Sequence, residues 1–286
     1  MQQRIRKATP YRGSRMKKGH RQTKLLTLIR ILFILFTITF CVLSYMVGSQ
    51  LISSYKEKKL YDKLSSITEE ANKSPGESSD SSGDSLSDGS QDGTTILKQY
   101  KELYEMNPDL FGWVSIPNTK LDYPVMYKPD EKDYYLRRAF DGSNSMSGVP
   151  YIDEDCFPGC GNLLIYGHYM KNGTIFTTLL SYAEQEFWKA NPVITFNTMY
   201  EEEEYEIMAA FYSRVYAVDE TGVFRFYKYT DLTDRDVFEE YVSQLKESAL
   251  YDTGITAEYG DELITLTTCS YHVKNGRFVV VACKKS

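Results

Sequence analysis

The stretch ELITLTTCSYHVKNGRFVVVACKK, residues 262–285, is typical of two strands joined by a short polar turn. Its first half alternates apolar residues with threonines, and successive side chains of a strand point to opposite faces. We therefore expect the apolar residues to pack inward, while Thr265, Thr267 and Cys269 share a polar face. The second half begins at Arg277, so a hairpin would return that guanidinium close to the sulfur of Cys269.

Cys269 has two interpretations. A free cysteine is most often a small buried apolar residue, whereas a cysteine nucleophile needs a proton acceptor because the thiolate is the reactive form. The chain has three histidines. His20 lies in the basic N-terminal segment, and His272, in the turn, is typical of an exposed loop residue. His168 follows the apolar strand NLLIYG, and strand ends present side chains from a rigid frame. By elimination His168 is the candidate partner, although a lone histidine is most often structural.

Six further strand-like pieces precede this hairpin, and turn signals such as NPD, KPD and DGSNS separate them. They are GWVSI, LDYPVM, GVPYID, NLLIYG, VITFN and EEYEIMAAFYSRV. Many short strands at this spacing favour a barrel or sandwich over a doubly wound sheet.

Three segments of the same region have helical periodicity. Residues 96–107 and 174–191 are two of them, and residues 233–250 are the clearest. In the last, Thr233 and Asp236 predict a capping box. Its apolar stripe is expected to pack on the core.

The run ILFILFTITFCVLSYMV, residues 31–47, is apolar and uncharged, and GSQLI extends it to residue 52. About 20 such residues can cross a hydrocarbon layer of ~30 Å. It is longer than the apolar core of a signal peptide and shows no small-residue cleavage site. A buried helix fits poorly because the run has no polar face. We expect an uncleaved anchor over residues 31–52, with the basic residues 1–30 in the cytoplasm and the remaining chain outside.

The charge distribution argues against a nucleic-acid surface. The whole chain has a formal net charge of −6, and ten of its 33 basic residues lie among the first 30, so the rest carries about −16. A strongly acidic domain does not suit a polyanionic partner. No nucleic-acid partner is therefore expected.

Residues 72–93, NKSPGESSDSSGDSLSDGSQDG, consist almost entirely of small polar and acidic residues. Such a segment cannot bury enough apolar surface to offset its chain entropy. We predict a flexible linker over residues 72–95. A juxtamembrane segment with the pattern of a short helix precedes it over residues 53–71, and an outer folded domain follows over residues 96–286.

Four cysteines lie beyond the expected anchor, and an external location permits disulfides. Four cysteines allow three pairings, and the sequence does not choose among them. CFPGC could close a tight loop between Cys156 and Cys160, or hold two free thiols. A zinc site is disfavoured because no histidine lies beside this pair. The sequence predicts no metal and no cofactor.

Two motifs together carry a family resemblance. TLTTC, residues 265–269, with Arg277 downstream, and NLLIYGH, residues 162–168, resemble the sortases, which are membrane-anchored cysteine transpeptidases of Gram-positive bacteria. The resemblance extends from about residue 96 to the C-terminus. NPDLFGWVSIPNTKLDYPVM, residues 107–126, DYYL, residues 133–136, and the helix at 233–250 are similar to class B members.

The resemblance implies an eight-stranded β-barrel with peripheral helices. It implies Cys269 as nucleophile, His168 as the catalytic histidine and Arg277 as the arginine, and it places Thr267 in the substrate groove. Tyr169 departs from the pattern, because many relatives carry Asn there, so the local loop contacts are expected to differ. No DP(W/F) lid motif precedes the barrel, which argues against a class C enzyme.

The function so implied is transpeptidation at the cell surface. The enzyme would cleave an NPxTx-like C-terminal sorting signal of secreted proteins after Thr, through a thioester. It would then transfer the protein to a peptidoglycan precursor amine. A pilin-joining sortase, a thiol hydrolase and a non-catalytic surface binding module are the alternatives.

Overall fold

The structure is a computed structural model that describes residues 16–73 and 95–285, with side chains over 25–71 and 95–285. Residues 1–15 of the expected cytoplasmic tail and residues 74–94 of the expected linker lie outside the described residues. The side chain of His20 is also outside them.

The described chain contains four α-helices, three 3₁₀ helices and eight strands. The α-helices are α1 Met16–Lys73, α2 Lys98–Met106, α3 Gln185–Ala190 and α4 Arg235–Ser248. The 3₁₀ helices span Tyr134–Arg137, Phe176–Ala183 and Phe226–Lys228. The strands are β1 Leu110–Ser115, β2 Asp122–Met126, β3 Tyr151–Ile152, β4 Asn162–Tyr166, β5 Val193–Thr198, β6 Glu204–Arg214, β7 Leu263–Cys269 and β8 Gly276–Lys284.

The eight strands close into one barrel in the order β1-β2-β3-β4-β7-β8-β6-β5, with β5 pairing back to β1. Two of the strand pairs, β2–β3 and β4–β7, are parallel, and the others are antiparallel. The predicted eight-stranded barrel with peripheral helices is therefore confirmed. Closure removes the unpaired sheet edges that would otherwise favour aggregation.

The expected polar face of β7 is not open to solvent at its threonines, because both faces of the strand are buried. Thr265 and Thr267 are 0% and 1% exposed. The Tyr241 hydroxyl of α4 lies 2.7 Å from Thr265 Oγ1, and Thr265 Oγ1 donates to Asn162 Oδ1 at 2.9 Å. A helix thus covers this threonine, and hydrogen bonds satisfy its hydroxyl.

The helix α4 forms where its periodicity predicts, but its cap differs from the prediction. Asp234 is the N-cap residue, and its carboxylate accepts from the N–H groups of Asp236 and Val237. The Thr233 hydroxyl is instead bonded to Asp231, which removes it from the expected capping box. The stripe packs on the core as expected, with Phe238, Tyr241 and Leu245 buried.

The single helix expected over residues 174–191 is divided into two shorter ones. Its first part is the 3₁₀ helix Phe176–Ala183, in which Phe176, Leu179 and Tyr182 are the buried residues. Residues three apart lie on one face of a 3₁₀ helix, which has three residues per turn. Glu184 then adopts an extended conformation, and α3 begins after it.

The helix α1 belongs to two compact units, which divide between Lys56 and Glu57. In the first unit the apolar side chains between Leu25 and Ile52 are exposed. Among the described residues, α1 is the one helix long and apolar enough to cross a membrane. The segment 57–73 is helical, in agreement with the sequence pattern, and belongs to the compact unit that also holds the barrel.

The hydrogen bonds of Thr265 predict a contrast within one strand. Replacing Thr265 with Val should lower the free energy of unfolding by roughly 1–3 kcal/mol, because Tyr241 and Asn162 would each lose a buried partner. Thr268 is the matched control, since its buried Oγ1 has no hydrogen-bond partner among the described residues. Thr268→Val should be neutral or stabilising. Urea unfolding followed by circular dichroism measures both, and an equal loss in the two variants would contradict the assigned network.

Candidate active site

The parallel pairing of β4 with β7 brings the end of one strand beside the end of the other. Tyr166 is paired with Thr267, and the N–H of Gly167 donates to the carbonyl oxygen of Thr267 at 3.1 Å. Continuing this register by two residues brings His168 level with Cys269. Paired strands lie about 4.8 Å apart, so the two residues belong to one local site.

The antiparallel pairing of β7 with β8 adds the arginine. Cys269 is directly paired with Arg277. Both residues are half-buried. Arg277 Nη1 donates to the carbonyl oxygens of Gly276 at 3.0 Å and Asn275 at 3.4 Å, so the turn before β8 holds the guanidinium. The expected return of Arg277 towards Cys269 is what this pairing produces.

Gly167, between β4 and His168, occupies a position with no room for a side chain. A Cβ there would lie 2.4 Å from the ring of Phe176, which is fully buried. The N–H of Phe176 also donates to the carbonyl oxygen of His168 at 3.1 Å. The 3₁₀ helix that begins at Phe176 is therefore packed directly against the chain that presents His168.

One cavity of about 390 Å³ contains all four predicted site residues: Cys269, His168, Arg277 and Thr267 are among its lining. A larger cavity of about 760 Å³ lies at the opposite barrel end, where β4 and β7 begin and β8 ends. Its lining includes none of the four. The chemistry-bearing residues thus converge on the smaller cavity.

The surroundings of His168 lower its pKa and so favour the neutral imidazole. Burial lowers its pKa most, and the positive charges of Arg137 and Arg277 lower it further. The hydrogen bond between its Nε2 and the carbonyl oxygen of Leu136, at 2.9 Å, acts in the opposite direction. If Nε2 carries the proton and donates to that carbonyl, Nδ1 is the nitrogen that can accept one.

Two tyrosine–carboxylate pairs line the cavity wall, and sequence reasoning missed both. Tyr166 donates to Asp153 at 2.7 Å, and Tyr151 donates to Asp133 at 2.7 Å. Burial raises the pKa of Asp153, while its hydrogen bonds oppose that change. Their spacing in the chain gives no motif, because strand pairing and loops bring them together.

The hydroxyl of Thr267 already has a partner within the barrel. Its Oγ1 donates to the carbonyl oxygen of Phe278 at 3.3 Å. Thr268, which also lines the cavity, has a buried Oγ1 without a partner among the described residues. Thr267 lies in the cavity wall, and its role in substrate binding stays a prediction.

The other sequence candidates lie outside this arrangement. His272 is exposed, as expected, and its Nδ1 bonds the Ser270 hydroxyl at 2.9 Å. Tyr169, the residue that departs from the family pattern, packs edge-on against Tyr271 of the β7–β8 turn, with ring centroids 5.7 Å apart. This contact joins the loop after His168 to the turn after Cys269.

The thiols of Cys156 and Cys160 are buried and unbridged. Both lie close to the carbonyl oxygen of Asn162, at 3.5 and 3.2 Å. The interaction between the two thiols raises the pKa of Cys156 and lowers that of Cys160. Among the described residues, no group of three or more His, Cys, Asp or Glu side chains is placed to hold a metal ion.

Comparison with known proteins identifies the family of this chain. The family model for the Sortase domain matches residues 114–285. Sortase B of Listeria monocytogenes serovar 1/2a is 29% identical over 190 residues, which cover 65% of this chain and 73% of that relative. Sortase B of Staphylococcus aureus is 23% identical over 266 residues, which cover 92% and 97%.

Solved structures of sortase B proteins have the same fold. The Clostridium perfringens sortase B matches with a TM-score of 0.57 and 27% identity, over 65% of this chain and 99% of that chain. A sortase B–substrate complex from Staphylococcus aureus matches with a TM-score of 0.65 and 20% identity, over 82% and 99%. The class B resemblance seen in the sequence is confirmed by these relatives. The chain therefore belongs to the sortase family of cysteine transpeptidases.

Proposed function

We propose that this sortase joins secreted proteins to a cell-wall amine, with Cys269 as nucleophile, His168 as proton carrier and Arg277 as the donor to the reacting carbonyl. The observation that carries the proposal is the single cavity lined by all three residues. The proposed substrate is a C-terminal sorting signal of the NPxTx type, cleaved after its Thr. The acceptor is the amine of a peptidoglycan precursor.

In the first half-reaction, Cys269 Sγ attacks the Thr carbonyl carbon. Because burial keeps His168 neutral, its imidazole can take the thiol proton as the sulfur attacks. The carbonyl oxygen gains negative charge, and the guanidinium of Arg277 stabilises it. Arg277 suits this task because its donor geometry is fixed and it stays charged.

Collapse of the tetrahedral intermediate breaks the C–N bond. His168 gives its proton to the leaving amine, and the product is a thioester on Cys269. An incoming amine then attacks the thioester carbon, His168 takes a proton from that amine, and the C–S bond breaks. The new amide forms and His168 gives the proton to the leaving sulfur, which restores the thiol, so no net oxidation or reduction occurs.

The proposed location is the outer face of the cell membrane. The apolar exposed part of α1 supports an anchor. The excess of Lys and Arg before it supports a cytoplasmic N-terminus and an external catalytic domain. The proposed boundaries of the cytoplasmic tail and the anchor are residues 30 and 52. Because segment 57–73 belongs to the unit that holds the barrel, the Ser/Gly/Asp-rich residues 72–95 would not separate the anchor from the catalytic domain.

The most direct test of this function uses the full chain, a panel of sorting-motif peptides and an amine. Triglycine is one suitable amine, because a sortase B of the same fold is described in complex with this tripeptide. We expect mass spectrometry to find an acyl adduct on Cys269 and a ligated product when amine is added. Cys269→Ala should abolish both.

Other outcomes of that experiment identify the alternatives. Cleavage with no ligation to any amine indicates a thiol hydrolase, and ligation only to a lysine side chain of a pilin-like peptide indicates a pilin-joining enzyme. If an active control sortase reacts and this chain forms neither adduct nor product with any peptide, the proposed function is wrong.

The charge and the shape of Arg277 have separable effects. Arg277→Lys keeps the charge but loses the donor fork, so kcat/KM should fall by about 10²-fold, the usual effect of losing an oxyanion donor. The pKa of His168 should stay below the ordinary value of a histidine in this variant, as in the unaltered chain. Arg277→Gln also removes the charge, so the pKa of His168 should rise. NMR titration of labelled histidine and peptide kinetics measure the two effects.

The lowered pKa of His168 also determines how the free energy of unfolding changes with pH. Because the folded His168 resists protonation, the unfolded chain binds more protons below about pH 6.5, and acidification should lower the free energy of unfolding there.

Arg235, an exposed arginine of α4, provides the control for the Arg277 variants. Arg235→Lys should change neither kcat/KM nor the pKa of His168. Full activity in Arg277→Lys would rule out the proposed role of Arg277 as the donor to the reacting carbonyl.

A further inference from the structure

The end of α1 is fastened to the catalytic unit at specific points. Leu64 is fully buried in an apolar cluster that also contains Tyr135 and Phe140. Tyr61 packs edge-on against Tyr123, with ring centroids 5.2 Å apart. Segment 57–73 is therefore part of the folded domain, although it precedes the expected domain boundary at residue 96.

Two side chains of this segment bind one turn, residues 145–148. The Glu57 carboxylate accepts from the hydroxyls of Ser145 at 2.8 Å and Ser147 at 2.6 Å. The Tyr61 hydroxyl donates to the carbonyl oxygen of Gly148 at 2.8 Å. Ser145 Oγ in turn accepts the N–H groups of Ser147 and Gly148, at 3.1 and 3.0 Å. Because both serines are buried, these bonds fix the turn in one conformation.

The other side of the same turn contacts the carbonyl group that holds His168. Gly148 has a φ of +59°, and a Cβ there would lie 2.6 Å from the carbonyl oxygen of Leu136. That oxygen is the hydrogen-bond partner of His168 Nε2. The next residue, Val149, lines the cavity that contains Cys269. A shift of the turn would therefore move both the cavity wall and the partner of the imidazole.

We propose that Glu57 and Tyr61 are positioning residues for His168, which act by holding the 145–148 turn against the Leu136 carbonyl group. This inference rests on the proposed catalytic role of His168. A fixed Leu136 carbonyl group accepts the Nε2–H and so keeps Nδ1 unprotonated, the state that can take the proton of Cys269. The juxtamembrane helix thus completes the active site without touching substrate.

The same helix offers a matched control. Ser65 Oγ donates to Asp122 Oδ2 at 3.0 Å, which fastens the helix to β2. This bond does not involve the 145–148 turn. If the segment only stabilises the domain, loss of the Ser65 bond and loss of the Tyr61 bond should have similar effects. If it positions His168, only the Tyr61 change should affect catalysis.

The test compares four variants of the full chain in nanodiscs of phosphatidylcholine and phosphatidylglycerol, with a sorting-motif peptide and triglycine. Tyr61→Phe should lower kcat by on the order of fivefold, the size expected for one lost hydrogen bond, and Glu57→Ala, which loses two, by on the order of tenfold or more. KM should change by less than about twofold. Glu57→Gln, which keeps one acceptor oxygen, should recover part of the loss. Ser65→Ala should keep kcat within about twofold.

Nitrogen-15 NMR of labelled histidine supplies a measurement that a merely structural role would not change. The His168 signal is assigned by its loss in His168→Gln. We expect the Nε2–H tautomer in the unaltered chain and in Ser65→Ala, and a mixture of tautomers in Glu57→Ala and Tyr61→Phe.

Two results would overturn the inference: unaltered kcat and tautomer in Glu57→Ala and Tyr61→Phe, or an equal loss of kcat in Ser65→Ala. Failure of the proposed function has a different signature, because the unaltered chain would then form no acyl adduct or His168→Gln would keep full activity. In that case the inference falls with the catalytic role on which it rests, whatever the tautomers show.

Discussion

The parallel pairing of β4 with β7, beside the antiparallel pairing of β7 with β8, is the constraint on which the candidate active site depends. Parallel strands run in one direction, so both β4 and β7 end at the same barrel end. The hairpin partner then returns Arg277 opposite Cys269. A slip of one residue in either register would turn Cys269 to the other face of the sheet and separate it from His168.

Burial on both faces of β7 requires the strand to be paired along its length. Six of the seven β7 residues are buried, and their backbone groups must find partners inside the barrel because water cannot reach them. The hydrogen bonds from Tyr241 to Thr265 and from Thr265 to Asn162 add a second constraint, because they join α4, β7 and β4 at one point. The far end of the barrel thereby fixes the alignment that the candidate site requires.

Local signals in the sequence predict the strands, and the family resemblance selects the three residues that meet in the cavity. Alternation and turn residues predict all eight strands, and the TLTTC and NLLIYGH motifs single out Cys269 and His168. The features that sequence reasoning missed depend on tertiary contacts. The burial of Thr265 follows from a helix over 20 residues away in the chain. The helix expected over residues 174–191 is interrupted near Glu184. The residues before it form a 3₁₀ helix, in which every third side chain packs on the core.

The hydrogen-bond partner of His168 and the segment that packs near it could not be predicted from the sequence either. Its hydrogen bond goes to a main-chain carbonyl group, that of Leu136, and such a group has no residue type to recognise. The segment 57–73 has the pattern of a connection to the anchor, because many of its residues are charged. That composition gives no signal that Tyr61 is half-buried and Leu64 buried. The apolar run of the expected anchor needs no tertiary information to be recognised.

The most direct measurement is a crystal structure of the chain with a sorting-peptide analogue bonded to Cys269 Sγ. It shows whether the strand register places Arg277 and His168 at the reacting atoms. We predict that the carbonyl oxygen of the analogue lies within ~3 Å of the Arg277 guanidinium, the distance of an oxyanion donor. We also predict that His168 Nδ1 faces the sulfur while Nε2 keeps the Leu136 carbonyl group. An analogue whose carbonyl oxygen points away from Arg277, or a His168 ring turned from the sulfur, would contradict the proposed roles of these residues.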